Sequence, residues 1–237
     1  MGCGPFPPQP LNQQFPPLQL QQQPQPQQFF PAQKQNQPLS YPDGTRYFGQ
    51  VALNNRGIPC PHGRGTLWSA NGNIYVGEFN WGQRHGRGTE TYANGDKYEG
   101  TFAFDRFHGK GDSFRSRDKR RYVGDYVNGI EEGYAEITNT DSFANGGHKK
   151  YVGFMKGGLR SGQGTQYVTD HKGQVARLEG QWANGLLNGP GRQITSFRCL
   201  SGTFINGYLE GPGLEMDSVS YQTRRVMFQR GVVVQYL

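Results

Sequence analysis

A short glycine motif returns along this chain at a constant interval. His-Gly-Arg-Gly at residues 62–65 recurs at 85–88, and as His-Gly-Lys-Gly at 108–111, so these copies are 23 residues apart. Looser copies follow, including a divergent Glu-Gly-Tyr-Ala, at residues 132–135, 161–164, 188–191 and 210–213. A period of this length indicates a repeat architecture in which each unit packs mainly on its neighbours.

A second motif, an aromatic-rich strand pattern, stands about ten residues before each copy. In residues 75–79, Tyr-Val-Gly-Glu-Phe, strand side chains alternate between two faces, so Tyr75, Gly77 and Phe79 share one face. Gly77 leaves an open slot between two large rings, and a ring from the adjacent strand can fill it. The pattern therefore predicts β-hairpins that pack rings against glycines of neighbouring units.

The segments between these strands have the composition of tight turns. Asn-Gly pairs are the strongest short signal for a hairpin, and similar pairs recur along the chain, at residues 71–72, 81–82, 94–95, 128–129, 145–146, 184–185 and 206–207. The chain has 36 glycines and only 33% hydrophobic residues, which argues against helices and against a thick core. We therefore expect an all-β fold.

These motifs resemble the MORN repeat, whose consensus runs Tyr-x-Gly-x-Phe/Trp-x-x-Gly-x-x-x-Gly-x-Gly. The resemblance covers about residues 41–231; it is strong at 75–111 and degenerate at 121–160. It implies an elongated single-layer antiparallel meander of β-hairpins with an aromatic-lined groove. We expect this array, about seven full repeats and a partial one, to occupy residues 41–237.

Two sets of residues are predicted to build the repeats. The rings assigned to the repeat core or the groove, which the sequence does not separate, are Tyr47, Tyr75, Phe79, Tyr92, Tyr98, Phe102, Tyr122, Tyr126, Tyr151, Trp182 and Phe204. The structural glycines are Gly49, Gly77, Gly88, Gly100, Gly111, Gly124, Gly153, Gly164, Gly180, Gly191, Gly202 and Gly213.

Residues 1–40 have a different composition from the array. They are rich in Gln and Pro and carry one charged residue, Lys34, so they are predicted to form a disordered tail that cannot bury enough apolar surface to fold. Gly2 and Cys3 are candidates for acylation, although Phe6 stands where the myristoylation pattern requires Ser or Thr.

The net charge of +7 is spread thinly, since only 18% of residues are charged. No nucleic-acid-binding motif occurs, and no nucleic-acid partner is expected. The densest basic cluster is Arg115, Arg117, Lys119, Arg120 and Arg121. It has two interpretations: a solvated loop, or a contact with an anionic surface such as acidic lipid or an acidic protein.

Catalytic and metal-binding patterns are not found. His62, His85 and His108 fall in successive repeats roughly 10 Å apart, too far to share an ion. The Gly-x-Gly pairs lack the Gly-Lys-Ser/Thr of a phosphate loop, and no Gly-x-Ser-x-Gly occurs. We therefore expect no enzymatic activity, no cofactor and no metal.

The cysteine pattern and the lack of apolar segments bear on location. Cys3, Cys60 and Cys199 are odd in number and without Cys-x-x-Cys spacing, which favours free thiols in a reducing compartment. No apolar stretch approaches the roughly 20 residues of a membrane span, and no signal peptide is evident. An intracellular location, in the cytoplasm or on the cytoskeleton, is expected.

Two functions remain open from the sequence. The family resemblance implies a non-enzymatic scaffold that binds protein partners along the aromatic-lined groove, as part of a cytoskeletal or ciliary assembly, and it also implies self-association. The alternative is a membrane-surface adaptor that binds acidic phospholipids through the basic cluster.

Overall fold

The computed structural model describes residues 36–140, 147–170 and 172–237. Within these ranges the chain forms strands and turns and no helix. The seventeen strands are β1 (Asn36–Ser40), β2 (Arg46–Leu53), β3 (Pro59–Trp68), β4 (Ile74–Asn80), β5 (Gln83–Thr91), β6 (Lys97–Ala103), β7 (Arg106–Arg115), β8 (Arg120–Val127), β9 (Ile130–Asn139), β10 (His148–Lys156), β11 (Leu159–Thr169), β12 (Val175–Ala183), β13 (Leu186–Ile194), β14 (Arg198–Ile205), β15 (Tyr208–Asp217), β16 (Thr223–Gln229) and β17 (Val232–Tyr236).

Each strand pairs antiparallel with the strand that follows it, so the described residues form one open sheet of hairpins. The prediction of an all-β antiparallel meander is confirmed. Strand β1 lies in residues assigned to the tail: Leu39 is opposite Tyr47 and packs against the core. The array therefore begins before residue 41. The rest of the predicted tail, with the acylation candidates, lies outside the described residues.

Two-residue turns close the hairpin within each repeat from β4 onward, whereas residues 54–58 form a longer turn between β2 and β3. Trp81 and Gly82 both have positive φ, 49° and 86°, the conformation of a tight turn that matches the twist of the flanking strands. The Gly82 amide donates to the Pro61 carbonyl at 2.8 Å and so fastens the turn to the preceding repeat. The same bond recurs at later turns, from Gly129, Gly158, Gly185, Gly207 and Gly231.

A line of glycines, here called the glycine row, crosses the sheet perpendicular to the strands. Gly65 is opposite both Gly49 and Gly77, and Gly88 continues the line. All the predicted structural glycines lie in this row, to which the structure adds Gly65. Ala135 interrupts it, opposite Gly153. A methyl group on Gly88 would lie within 2.5 Å of two carbons of the Tyr75 ring, so glycine is required for close approach.

The core lies on one face of the sheet, here called the ring face, where aromatic side chains cover the glycine row. Phe79 packs edge-to-face between Tyr47, at 5.1 Å, and Tyr75, at 5.0 Å. Tyr75 in turn meets Phe102 at 4.9 Å. These rings therefore contact rings of their own and of a neighbouring repeat, a geometry worth about 0.5–1.5 kcal/mol per pair beyond area burial.

The hydroxyl groups of the core tyrosines donate hydrogen bonds to backbone carbonyls. Tyr75 donates to the Glu78 carbonyl at 2.9 Å, and Tyr98 donates to the Thr101 carbonyl at 2.9 Å. Tyr47, Tyr122 and Tyr151 each make the same bond to the residue three positions later. These carbonyls lie at or beside β-bulges, where the ladder is locally broken. The hydroxyl thus satisfies a polar group that burial would otherwise penalise.

Candidate binding groove

The face opposite the ring face carries a groove of about 1350 Å³ that crosses the strands from β1 to β9. Its floor is the backbone of the glycine row, from Gly49 to Gly124, because these residues present no side chain. Its walls are the residues on either side of each glycine. We call this feature the charged groove.

The rings predicted for the repeat core or the groove do not line the charged groove. Among the described residues, the aromatic side chains of the lining come from Phe48 and Tyr134. The predicted rings lie on the ring face, where all except the half-buried Tyr92 are buried. The reason is strand alternation: Tyr75 and Phe79 share the face of the missing Gly77 side chain, so the rings fill that space, and the intervening residues face the groove.

One wall carries charges of alternating sign. Arg64, Glu78, Arg87 and Lys110 all line the groove, and Arg64 is directly opposite Glu78. Lys110 Nζ forms an ion pair with Asp125 at 2.8 Å. Arg64 and Arg87 are exposed and form no ion pair with any residue that the structure describes. Since strands are about 4.8 Å apart, the two arginines stand roughly 10 Å from each other with Glu78 between them.

The second wall changes from apolar to acidic along the groove. Phe48 and Val76 are about half exposed, at 51% and 53%. Further along, three acidic residues each form an ion pair. Glu99 pairs with Lys97 at 3.2 Å, and Asp112 pairs with Arg121. Glu136 pairs with Lys150 at 2.8 Å. The groove therefore offers an apolar ledge beside the two unpaired arginines, while the acids of this wall are already neutralised.

Sequence reasoning missed the residues of the charged wall, although a signal was present. Arg64, Arg87 and Lys110 occupy the third position of the tetrapeptide that defines the repeat. That position alternates with the glycines and so points into the groove. The equivalent residues in later repeats are Tyr134, Gln163, Pro190 and Pro212, which confines the basic positions to the first three copies.

The predicted basic cluster lies at the turn between β7 and β8, and most of its charge is compensated. Arg120 binds Glu131 through two hydrogen bonds, at 2.5 and 2.6 Å. Arg121 pairs with Asp112, and Arg115 Nε binds Asp118 at 2.9 Å. Although burial acts to raise it, the hydrogen bond and charge of Arg115 hold the pKa of Asp118 below its ordinary value.

Arg117 and Lys119 are the exposed members of this cluster at the turn itself. Binding to acidic lipid stays a prediction that rests on these two side chains. Vesicle sedimentation with the Arg117→Ser/Lys119→Ser variant tests it, and unchanged sedimentation on acidic vesicles would remove this alternative.

Two of the candidate histidines pack against aromatic rings of the turns. The His62 ring packs on Trp81 at 4.6 Å, and His85 packs on Phe104 at 5.4 Å. Within the described residues no group of three or more His, Cys, Asp or Glu side chains is placed to hold a metal ion. Cys60 and Cys199 are free thiols, and Cys3 lies outside the described residues. No helix among the described residues is long and apolar enough to cross a membrane.

Comparison with protein families matches the repeat directly. The MORN repeat model aligns with six segments, at residues 61–74, 75–97, 98–112, 122–141, 151–170 and 179–194. This chain is a MORN-repeat protein. The strand pairing extends beyond the matched MORN segments on both sides, to β1 and β2 before them and to β14–β17 after them. The total number of repeats stays a prediction.

Solved structures offer a weaker likeness. The SAS-4 (dCPAP) TCP domain of Drosophila melanogaster, in complex with a proline-rich motif of Ana2 (dSTIL), is 12% identical with a TM-score of 0.39, covering 90% of this chain and 99% of that one. The TCP10 domain of Danio rerio CPAP, in complex with a STIL peptide, is 12% identical with a TM-score of 0.32, covering 86% and 99%. At such values neither likeness supports a conclusion about function. No curated protein matches the chain.

Proposed function

We propose that this MORN-repeat protein is a non-enzymatic scaffold that binds a helical protein segment in the charged groove. The observation that carries the proposal is the wall on which Arg64 and Arg87 stand without ion-pair partners among the described residues, on either side of Glu78. Charged groups that are exposed and unpaired in the free protein favour a partner of complementary charge.

The spacing of the wall specifies the pattern on the partner. Arg64 and Arg87 are roughly 10 Å apart across two strand spacings. A helix laid along the groove rises 1.5 Å per residue, so acidic residues about seven positions apart would meet the two arginines. A basic residue about midway between them would meet Glu78, and apolar residues on the adjacent stripe of the helix would contact Phe48 and Val76.

The floor of the groove favours this mode of binding. Because the glycine row presents only backbone, a helix can approach the sheet closely without displacing side chains. The groove runs across nine strands, so the contact grows with the length of the bound segment. An extended peptide added to a sheet edge would instead contact β1 or β17 and would not use the charged wall.

The test uses a designed helical peptide with glutamates seven positions apart, a lysine midway and an apolar stripe. Its affinity for the wild-type chain is compared with that for Arg64→Gln/Arg87→Gln by fluorescence anisotropy. Loss of two exposed charge pairs should weaken binding by about 1–2 kcal/mol, roughly 5–30-fold in Kd. Added salt should weaken wild-type binding and have less effect on the variant.

The matched control is Arg56→Gln/Lys156→Gln, which removes the same charge from an exposed turn and an exposed strand end outside the groove. The proposal fails if this control weakens binding as much as the groove variant, because attraction would then be nonspecific. It also fails if a peptide with inverted charges binds equally well. A cytoskeletal or ciliary location stays a prediction, which affinity purification of partners addresses. Self-association also stays a prediction, which light scattering addresses.

A further inference from the structure

A pocket on the ring face, away from the charged groove, points to a second binding site. The second residue of the return strand in each repeat points onto this face beside the repeat's tyrosine. Phe107 at this position stacks on Tyr98 at 3.6 Å, and later repeats place Leu187 and Leu209 there, both buried. The position therefore belongs to the core, yet other repeats fill it with charged residues, namely Arg84, Glu131 and Arg160.

Arg84 shows how the fold accommodates a cation at this position. Its guanidinium lies over the rings of Tyr75, at 5.9 Å, and Phe102, at 5.4 Å. Two carboxylates neutralise it: Glu90 at 2.5 Å and Asp105 at 3.1 Å. Glu90 is only 6% exposed, which is tolerable because its charge is paired in this way.

Arg160 occupies the same position in a later repeat without either carboxylate. Arg160 is opposite Met155 as Arg84 is opposite Phe79, and its guanidinium lies 4.5 Å from the Trp182 ring centroid. The counterpart of Glu90 is Gln166, because Glu90 is opposite Tyr75 and Gln166 is opposite Tyr151. The Gln166 amide oxygen accepts a hydrogen bond from Arg160 but supplies no charge.

The counterpart of Asp105 also lacks a carboxylate. The Asp105 amide donates to the Arg84 carbonyl, and in the later repeat the Gly185 amide makes the same bond to Arg160. Arg160 forms no ion pair with any residue that the structure describes. Burial lowers the pKa of Arg160, and the nearby charge of Arg120 lowers it further. The cation is therefore partly desolvated.

A cavity of about 380 Å³ opens in front of Arg160, and Gln166 and Gly185 are among its lining residues. It thus lies where the carboxylates of Glu90 and Asp105 stand in the earlier repeat. Among the described residues, the lining includes no acid and four basic residues, which are Arg120, Lys149, Lys150 and Arg160. Glu131 pairs with Arg120 and Glu136 pairs with Lys150, so the charge of Arg160 remains uncompensated by these acids.

We propose that this pocket binds the carboxylate of an acidic side chain on a partner protein segment. The chain itself provides the template, because Glu90 and Asp105 make this contact with Arg84. The incoming carboxylate would take the place that Glu90 and Asp105 have beside Arg84, and would accept hydrogen bonds from the Arg160 guanidinium. The methylene groups of the same acidic side chain would contact Met155 and Tyr151. The site lies on the opposite face from the charged groove, so it does not depend on the groove's function.

The test follows the indole N–H signal of Trp182 by NMR. This N–H donates to the Gly164 carbonyl at 3.0 Å, and the ring lies against Arg160, so the signal reports on the pocket. The probe is a short blocked peptide with one central glutamate, with the glutamine version of the same peptide at equal ionic strength as reference. We expect the chemical shift of the indole signal to change and saturate with the glutamate peptide, and not to change with the glutamine peptide.

Two variants assign the effect to the pocket. Arg160→Leu should fold, since leucine occupies the same position at Leu187 and Leu209, and should weaken peptide binding by about tenfold or more. Gln166→Glu supplies an internal carboxylate, so it should raise the thermal midpoint and also weaken binding. Lys156→Gln, an exposed cation outside the pocket, should leave binding unchanged.

Three results would overturn this assignment. One is equal movement of the indole signal with the glutamine peptide, and another is peptide binding that Arg160→Leu leaves intact. The third is movement of the same size with inorganic phosphate at equal concentration, which would mean that any anion suffices. Thermal denaturation of each variant confirms that the comparison is made between folded proteins.

Discussion

Replacing Gly88 with alanine tests the physical basis of the whole array. The added methyl group would stand within 2.5 Å of the Tyr75 ring carbons and of its hydroxyl, which is tighter than any ordinary contact. Tyr75 cannot retreat easily, because it is 2% exposed and packs against both Phe79 and Phe102. The backbone of Gly88 does not have the left-handed conformation, so the penalty comes from packing alone.

The expected cost follows from overpacking. Forcing an extra methyl group into a filled core costs about 1–3 kcal/mol, and here the ring's edge-to-face contacts and its hydrogen bond to Glu78 are also disturbed. We expect a value near the upper end, about 2–3 kcal/mol. For a chain of this size that corresponds to a fall of roughly 4–12 °C in the thermal midpoint.

Gly202 provides the matched control, because it lies in the same glycine row without a tyrosine over it. The nearest atom to an added methyl group there is Leu209 Cδ2 at 3.2 Å, the end of a flexible side chain. Gly202→Ala should therefore cost about 1 kcal/mol or less. The thermal midpoint is followed by circular dichroism, and hydrogen exchange locates the loosened strands, because repeat arrays need not unfold in one step.

Hydrogen exchange should show the loss of protection in Gly88→Ala centred on β4, β5 and β6. Equal losses of stability for Gly88→Ala and Gly202→Ala would refute the reasoning, since they would mean that glycine matters for backbone freedom and not for ring packing. So would a stabilised Gly88→Ala protein.

Two further outcomes follow from the tyrosines. Tyr75→Phe keeps the ring and removes the hydrogen bond to the Glu78 carbonyl, so it should cost about 1–2 kcal/mol in denaturant titration, and a neutral result would contradict the role given to the hydroxyl. Burial raises the pKa of Tyr47 from 10.0 to about 12, so the folded state favours the neutral phenol. That contribution to stability is complete below pH 10 and is lost as the pH rises towards about 12. Phenolate absorbance measured alongside circular dichroism should show Tyr47 ionising together with unfolding, whereas ionisation in the folded state near pH 10 would contradict its burial.

The position of the core could be derived from the sequence, but the chemistry of the groove could not. Alternation alone places Tyr75 and Phe79 on the face of Gly77, and Val76 and Glu78 on the other face. Which of the two faces encloses a groove depends on how the whole sheet curves at its bulges, a collective property of many strands. The sequence left open whether the rings belong to the core or to the groove; in the structure they are in the core, and charged side chains line the groove.

The Arg160 pocket required the tertiary structure for a different reason. Arg160 and Gly185 are 25 residues apart and belong to successive repeats, and their relation to Arg84 and Asp105 emerges only when equivalent backbone hydrogen bonds are compared. The sequence shows that each residue is present. It does not show that one repeat neutralises its buried arginine while another leaves the same space open.

By itself the sequence determined the period of the array, its alternation of strands and turns and most of the glycines of the row. These features are local, because side-chain volume alternates with period two and the turns require residues that tolerate positive φ. Only the tertiary structure decided which side chains line the groove, which charges are paired across strands and where the array begins. Those outcomes depend on contacts between residues that are distant in sequence, and on the summed curvature of paired strands.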